Sequence, residues 1–134
     1  MAGFLLDTNH LSDAISRVFR IRDRIQQTHH QGVRIGTCIN VICELEAGIQ
    51  NLNKPDSYRR RLANILKVAR LWPIDLGIAH LYGEIHSELE KKGRMLSHVD
   101  ILLAALARQL DLTVLTTDRD FEALPDIKTE NWLA

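Results

Sequence analysis

The sequence holds only two cysteines, Cys38 and Cys43. They lie five apart in an apolar segment and match neither a CxxC pair nor a disulfide framework. Two buried free thiols in a reducing cytoplasm are expected. Long apolar runs are also missing. None approaches the ~20 residues that cross a bilayer, so no membrane segment is expected. No basic start leads into an apolar stretch, which argues against a secretory signal. Net charge is absent as well: 17 Lys and Arg balance 17 Asp and Glu. That balance does not suit a protein that simply coats nucleic acid. The glycine-rich phosphate and dinucleotide loops, zinc-ligand spacings and the GxSxG elbow are all lacking. No internal repeat, low-complexity tract or long linker interrupts the chain.

What remains is ordinary in composition. The chain has 134 residues, of which 46% are hydrophobic and 25% charged, enough for one domain, 1–134, with its own core. Charge is uneven along it. Residues 1–70 carry 11 basic and 6 acidic side chains, and residues 71–134 carry 6 and 11. A basic surface beside an acidic one is the simplest expectation.

The first ten residues organise the rest. Phe4, Leu5 and Leu6 form a short apolar run, as in a strand buried on both faces of a parallel sheet. Asp7 follows at once, where open α/β sheets place their ligands. Asp7, Thr8 and Asn9 equally suit a turn, with Asn9 as the cap of the next helix. Arg17 to Gln27 alternates Arg17, Arg20, Arg22 and Arg24 with Val18, Phe19, Ile21 and Ile25, one apolar helix face and one solvated face. Gly32 closes that helix.

Val33 to Gly36 read as a strand, with Thr37 capping a helix from Cys38 to about Leu52. On it Cys38, Val41, Ile42, Leu45, Ile49 and Leu52 share an arc. Glu44 falls opposite, among small and polar residues, and reads as a surface glutamate when taken alone. Asn53 to Pro55 break the chain, and Asp56 can cap a helix from Ser57 to Arg70. Its Arg59, Arg60, Arg61, Lys67 and Arg70 form the densest basic cluster, of the kind that meets phosphate backbones or solvent. Leu71 to Ile74 form a short strand. Asp75 caps a helix that ends at Gly93.

Ser97-His98-Val99-Asp100 loosely matches a capping box ahead of a helix apolar nearly all round. Asp100 can therefore serve the cap, face a cleft, or both. Thr113 to Leu115 make a strand followed by Thr116, Thr117 and Asp118, and Ile127 to Thr129 form an edge strand. Strands alternating with helices predict an α/β fold, a parallel sheet of about five strands with helices on both faces.

Asp7 and Asp118 end strands, Asp100 opens a helix and Glu44 lies within one. Strand ends and following helix starts share one sheet edge, so these acids would repel one another there. A divalent cation relieves that repulsion, and oxygen-only donors suit Mg²⁺ or Mn²⁺. Such a metal activates water and stabilises charge on a phosphodiester.

Four motifs carry a resemblance over essentially the whole chain: Leu-Leu-Asp-Thr-Asn at 5–9, Cys-Glu-Leu-Glu-Ala-Gly at 43–48, Ser-His-Val-Asp-Ile-Leu-Leu-Ala-Ala at 97–105, and Leu-Thr-Thr-Asp-Arg-Asp-Phe at 115–121. Together they resemble the PIN domain, and more narrowly the VapC-type toxins of bacterial toxin–antitoxin pairs. The resemblance implies a PIN-like three-layer fold and a metal-dependent endoribonuclease whose products carry 5′-phosphate and 3′-hydroxyl ends. It assigns Asp7, Glu44, Asp100 and Asp118 to catalysis and metal binding. Thr8, Asn9 and Thr116 would support them by hydrogen bonding.

Many relatives have Asn where this chain has Asp118. Asp120 competes for that role, but Asp118 directly follows the Thr pair. Glu46 competes with Glu44, yet the two lie about 200° apart on a helical wheel and cannot face one cleft. The resemblance further implies a cytoplasmic homodimer, an RNA substrate, and a VapB-type antitoxin that docks a peptide over the cleft. Arg59 and Arg60 are the candidate RNA contacts. Two other readings compete: a catalytically silent PIN-like interaction module, and a receiver-like Mg²⁺-binding signalling domain with Asp75 as phosphate acceptor. DNA cleavage is a variant within the nuclease class.

Overall fold

The computed structural model describes residues 3–16 and 19–133. Arg17 and Val18, expected to begin the arginine-alternating helix, lie outside the described residues. Five strands make one sheet: β1 (Gly3–Leu6), β2 (Ile35–Cys38), β3 (Arg70–Trp72), β4 (Leu112–Leu115) and β5 (Thr129–Glu130). Their order is β3-β2-β1-β4-β5 and every pairing is parallel. Among the described residues six α-helices link the first four of them. α1 (Thr8–Ile15) and α2 (Phe19–His30) join β1 to β2, and α3 (Ile39–Ile49) and α4 (Pro55–Ile65) join β2 to β3. α5 (Leu76–Lys91) and α6 (His98–Leu110) carry the chain from β3 to β4.

This order fixes the layers. From β1 the chain steps outward to β2 and β3, then crosses back past β1 to β4. Right-handed crossovers in opposite directions place their helices on opposite faces. α1 accordingly packs against α2, α3 and α4, whereas α5 packs against α6. The sheet lies between them, with β1, β2 and β4 almost wholly buried. α6 is its most buried helix, apolar from Ile101 to Ala107 without a break. The three-layer parallel α/β architecture read from the sequence is thus the observed one.

The direction changes between β1 and β4, whose paired residues run from Gly3↔Leu112 to Leu6↔Leu115. Ligands of open α/β sheets bind at such a switch point, outside the carboxyl ends of the strands. β2 and β3 approach so closely that Gly36 admits no side chain. A Cβ there would stand 2.3 Å from the Arg70 carbonyl oxygen.

Several local expectations shift. β2 occupies Ile35–Cys38 rather than 33–36. Thr37 caps no helix, because its hydroxyl donates to the Leu6 carbonyl (2.8 Å) and ties β2 to β1. Asn9 is not the cap of α1. Asp7 is, accepting from the His10 amide. Asp56 lies inside the first turn of α4, which begins at Pro55 behind Lys54 in a left-handed conformation (φ 57°) and stops at Ile65. β3 ends before Pro73, which has no amide hydrogen to give the ladder. Leu52 is exposed beyond the end of α3. Of the two free thiols only Cys38 is buried, and burial pushes its pKa up; Cys43 is exposed. Asp75 and Ser97 cap α5 and α6 as expected.

Candidate active site

Asp7 stands one residue past β1, at the switch point. Its amide donates to the Leu115 carbonyl of β4 (3.2 Å), and its side chain is nearly buried. Oδ1 accepts two hydrogen bonds, from the His10 amide (2.8 Å) and from the His10 ring at Nδ1 (2.9 Å). Oδ2 accepts none from the described residues. No fully buried side-chain oxygen or nitrogen among them lacks a partner, so Oδ2 keeps some contact with solvent.

Asp118 follows β4 on the neighbouring strand. Its amide donates to Thr116 Oγ1 (3.0 Å), and its Oδ1 accepts from the Asp120 amide (2.8 Å). It thereby opens the 3₁₀ turn Arg119–Ala123. Thr116 is buried, and its amide donates to the Glu130 carbonyl of β5 (2.9 Å). The Thr-Thr-Asp stretch is therefore held by hydrogen bonds on both sides.

Asp100 reaches the same place from the first turn of α6. Its amide donates to Ser97 Oγ (3.2 Å), so the capping reading and the cleft reading both hold. Its carboxyl is pushed up from 3.8 to about 6. Burial is the main cause, partly opposed by a hydrogen bond from Ser97. The charges of Asp118 and Asp7 raise it further. Three acids brought from β1, β4 and α6 thus crowd one another.

Glu44 of α3 is connected to the β1 strand end through Thr8. It is exposed, and its Oε1 accepts from Thr8 Oγ1 (2.6 Å), which links it to the residue after Asp7. Glu46 turns the other way and accepts from Arg59 Nε (3.2 Å). The helical period separated these two glutamates correctly. Asp120 is exposed and contributes only its amide, to Asp118. Asn9 reaches Thr117 Oγ1 (3.2 Å) rather than a carboxylate, which stitches α1 to the Asp118 loop. Arg59 is engaged by Glu46 and by Asp56 (3.7 Å), whereas Arg60 is exposed.

His10 was missed from the sequence. It is fully buried, and its Nε2 accepts from the Trp132 amide (3.1 Å). Its spacing of three from a strand-end acid on an incipient helix is a local hint; its partner at 132 is not.

Fold and site together define a parallel α/β domain with carboxyl side chains from β1, β4 and α6 brought to its switch point. The chain belongs to the PIN domain family, whose model matches residues 4–127. It is 27% identical over 136 residues to a protein of Haemophilus influenzae named ribonuclease VapC2, covering 99% of this chain and all of that one. The structure of DNA-bound VapBC from Salmonella typhimurium superposes with a TM-score of 0.85 at 27% identity, over 98% of this chain and 99% of that one. VapBC-5 of Mycobacterium tuberculosis, described as a member of the VapBC family of toxin-antitoxin systems, gives 0.65 at 27% identity over 98% of both chains.

Proposed function

We propose that this chain is a divalent-metal-dependent endoribonuclease, the toxin of a VapBC-type toxin–antitoxin pair acting in the cytoplasm. One observation carries the reading: β1, β4 and α6 bring Asp7, Asp118 and Asp100 to the switch point, where burial first, and then the charges of Asp118 and Asp7, push the Asp100 carboxyl up to about 6. A fold gathers like charges in this way at a cost, and a cation in their midst turns the cost into affinity.

The donor set fits Mg²⁺ or Mn²⁺. It is all oxygen, the choice of hard cations, and Asp7 Oδ2 is available. No group of three or more His, Cys, Asp or Glu among the described residues is already gathered tightly enough to hold a metal ion unaided. Mg²⁺ does not need such a cage, because it keeps several waters and takes one or two carboxylates directly. Asp7, Asp100 and Asp118 would hold the ion, with Glu44 beside them. Bound there, it supplies Lewis acidity for water activation and for the charge that develops on the phosphate.

The chain's own groups do the rest. Glu44, exposed and held by Thr8, is placed to orient water. Ser97, Thr116 and Asn9 fix the loops that carry the acids. For the antitoxin, a groove of about 240 Å³ opens from Thr8 and Glu44 between α1, α3 and α4, floored by Leu45, Ile49 and Tyr58. A partner segment lying there would cover the cleft. Arg60 on α4 remains the better RNA contact of the two proposed arginines, since Arg59 is held by carboxylates.

The test is cleavage of total RNA by the purified chain, free of antitoxin, in Mg²⁺ or Mn²⁺, with the ends mapped. Metal-dependent cuts bearing 5′-phosphates, lost in Asp7→Asn and Asp118→Asn, are expected. Folded protein that cuts nothing, or cuts equally well in both variants, contradicts the reading.

A further inference from the structure

His10 occupies a position on the buried face of α1 that any apolar residue of its size could fill, beside Leu11, Ala14 and Ile15. Burying an imidazole instead requires partners for both ring nitrogens. Both are present. The Trp132 backbone amide can only donate, so the Nε2 it meets (3.1 Å) must accept and carry no proton. The ring proton then sits on Nδ1 and donates to Asp7 Oδ1 (2.9 Å).

The far end of this connection is itself fixed. The Trp132 ring is buried, packs on Phe4 of β1 with centroids 5.0 Å apart, and lies 4.1 Å beneath the Arg24 guanidinium of α2. Its amide is therefore a rigid reference point 122 residues away in sequence. On Asp7, two donors on Oδ1 hold the carboxylate plane and leave Oδ2 open to solvent.

We propose that His10 is the positioning residue of the site. It locks Asp7 with Oδ2 presented to the cation through the bond from Nδ1 to Oδ1, and the Trp132 amide decides which ring nitrogen carries the proton. The inference rests on the reading of Asp7 as a metal ligand. Partners that orient ligating groups commonly change metal affinity 10–100-fold when removed.

Two variants separate positioning from mere packing. His10→Asn places an amide donor near the position of Nδ1, so it keeps the bond to Asp7 and loses the one to Trp132. His10→Gln reaches the position of Nε2, so it keeps Trp132 and releases Asp7. The readout is Mn²⁺ affinity by electron paramagnetic resonance, alongside the thermal midpoint of each protein without metal.

His10→Gln should weaken Mn²⁺ binding about tenfold or more, and His10→Asn should stay within about threefold of the wild type, whichever variant is the more stable. Equal affinity in all three proteins overturns the inference, as does a loss in His10→Asn with retention in His10→Gln. If neither variant folds, ¹⁵N spectra of the wild-type histidines decide: a neutral His10 ring protonated on Nδ1 is required, and the opposite tautomer overturns it. Failure of the wild type itself to bind Mn²⁺ would instead overturn the nuclease reading, and this inference with it.

Discussion

Replacing Asp100 with Asn should make the metal-free protein more stable while destroying its activity. The folded chain raises the Asp100 carboxyl from 3.8 to about 6, through burial first and then the charges of Asp118 and Asp7. A proton is therefore held more tightly by the folded than by the unfolded chain. That contribution to stability is fully present below about pH 4 and is lost as pH rises through about 6. The shift is about two units, and at ~1.4 kcal/mol per unit the ionised group costs the fold at most about 3 kcal/mol at pH 7.5. Asp100 is only partly buried, so solvent screening brings the expected figure to about 1–2 kcal/mol. Asn has nearly the same shape, can accept from Ser97, and carries no charge.

Thermal denaturation in EDTA should thus show Asp100→Asn melting about 3–10 °C above the wild type at pH 7.5, taking about 3–5 °C per kcal/mol at this size. The gap should largely close at pH 4. Added Mg²⁺ should stabilise the wild type and leave the variant unchanged, since only a group that binds the ion gains from it. A variant no more stable than the wild type at pH 7.5, or a gap of the same size at pH 4, would refute the electrostatic argument.

Three further outcomes follow from the packing. Arg108 clasps Asp126 through Nε (2.6 Å) and a terminal nitrogen (2.8 Å), and the latter also reaches Glu88 (3.0 Å). Arg108→Ala should cost about 1–2 kcal/mol in urea denaturation at pH 7. The cost should shrink as pH falls below about 4, because Arg108 lowers the pKa of both acids and the stability from such pairs is lost as they protonate. Gly36→Ala should destabilise the chain by about 1–3 kcal/mol, since the new methyl can be fitted only by parting β2 from β3; a melting point equal to the wild type would show that the strands yield freely. Arg60→Glu should weaken RNA binding in a filter assay with the melting point unchanged, whereas Arg59→Glu should lower the melting point by setting a third acid beside Glu46 and Asp56.

The sequence revealed most where the chemistry is local. Ser97 and Asp75 cap their helices through amides three residues on, and the alternation of strands and helices foretold the parallel sheet. The period of α3 was enough to set Glu44 and Glu46 on different faces, and the structure gives the first Thr8 and the second Arg59 as partner. Errors arose where a distant partner outbid a local one. Thr37 has the makings of a helix cap, yet its hydroxyl is taken by the Leu6 carbonyl on the adjacent strand. Asn9 suits the cap of α1, but Asp7 ends the strand and caps the helix at once, so the helix starts earlier.

His10 is the clearest case. One of its partners is three residues away and the other is Trp132, and no periodicity connects position 10 with position 132. The gathering of Asp7, Asp100 and Asp118 was legible only through the topology, because strand ends and the starts of following helices share one edge. How near the three carboxylates come to one another is a property of the folded switch point.

That convergence is proposed to serve a metal ion. Crystals grown with Mn²⁺ and measured at its absorption edge test it directly. An anomalous peak within bonding distance of Asp7 Oδ2 and of Asp100 or Asp118 is the predicted result. Ordered side chains at all three positions with no peak among them, in crystals saturated with the ion, would contradict it.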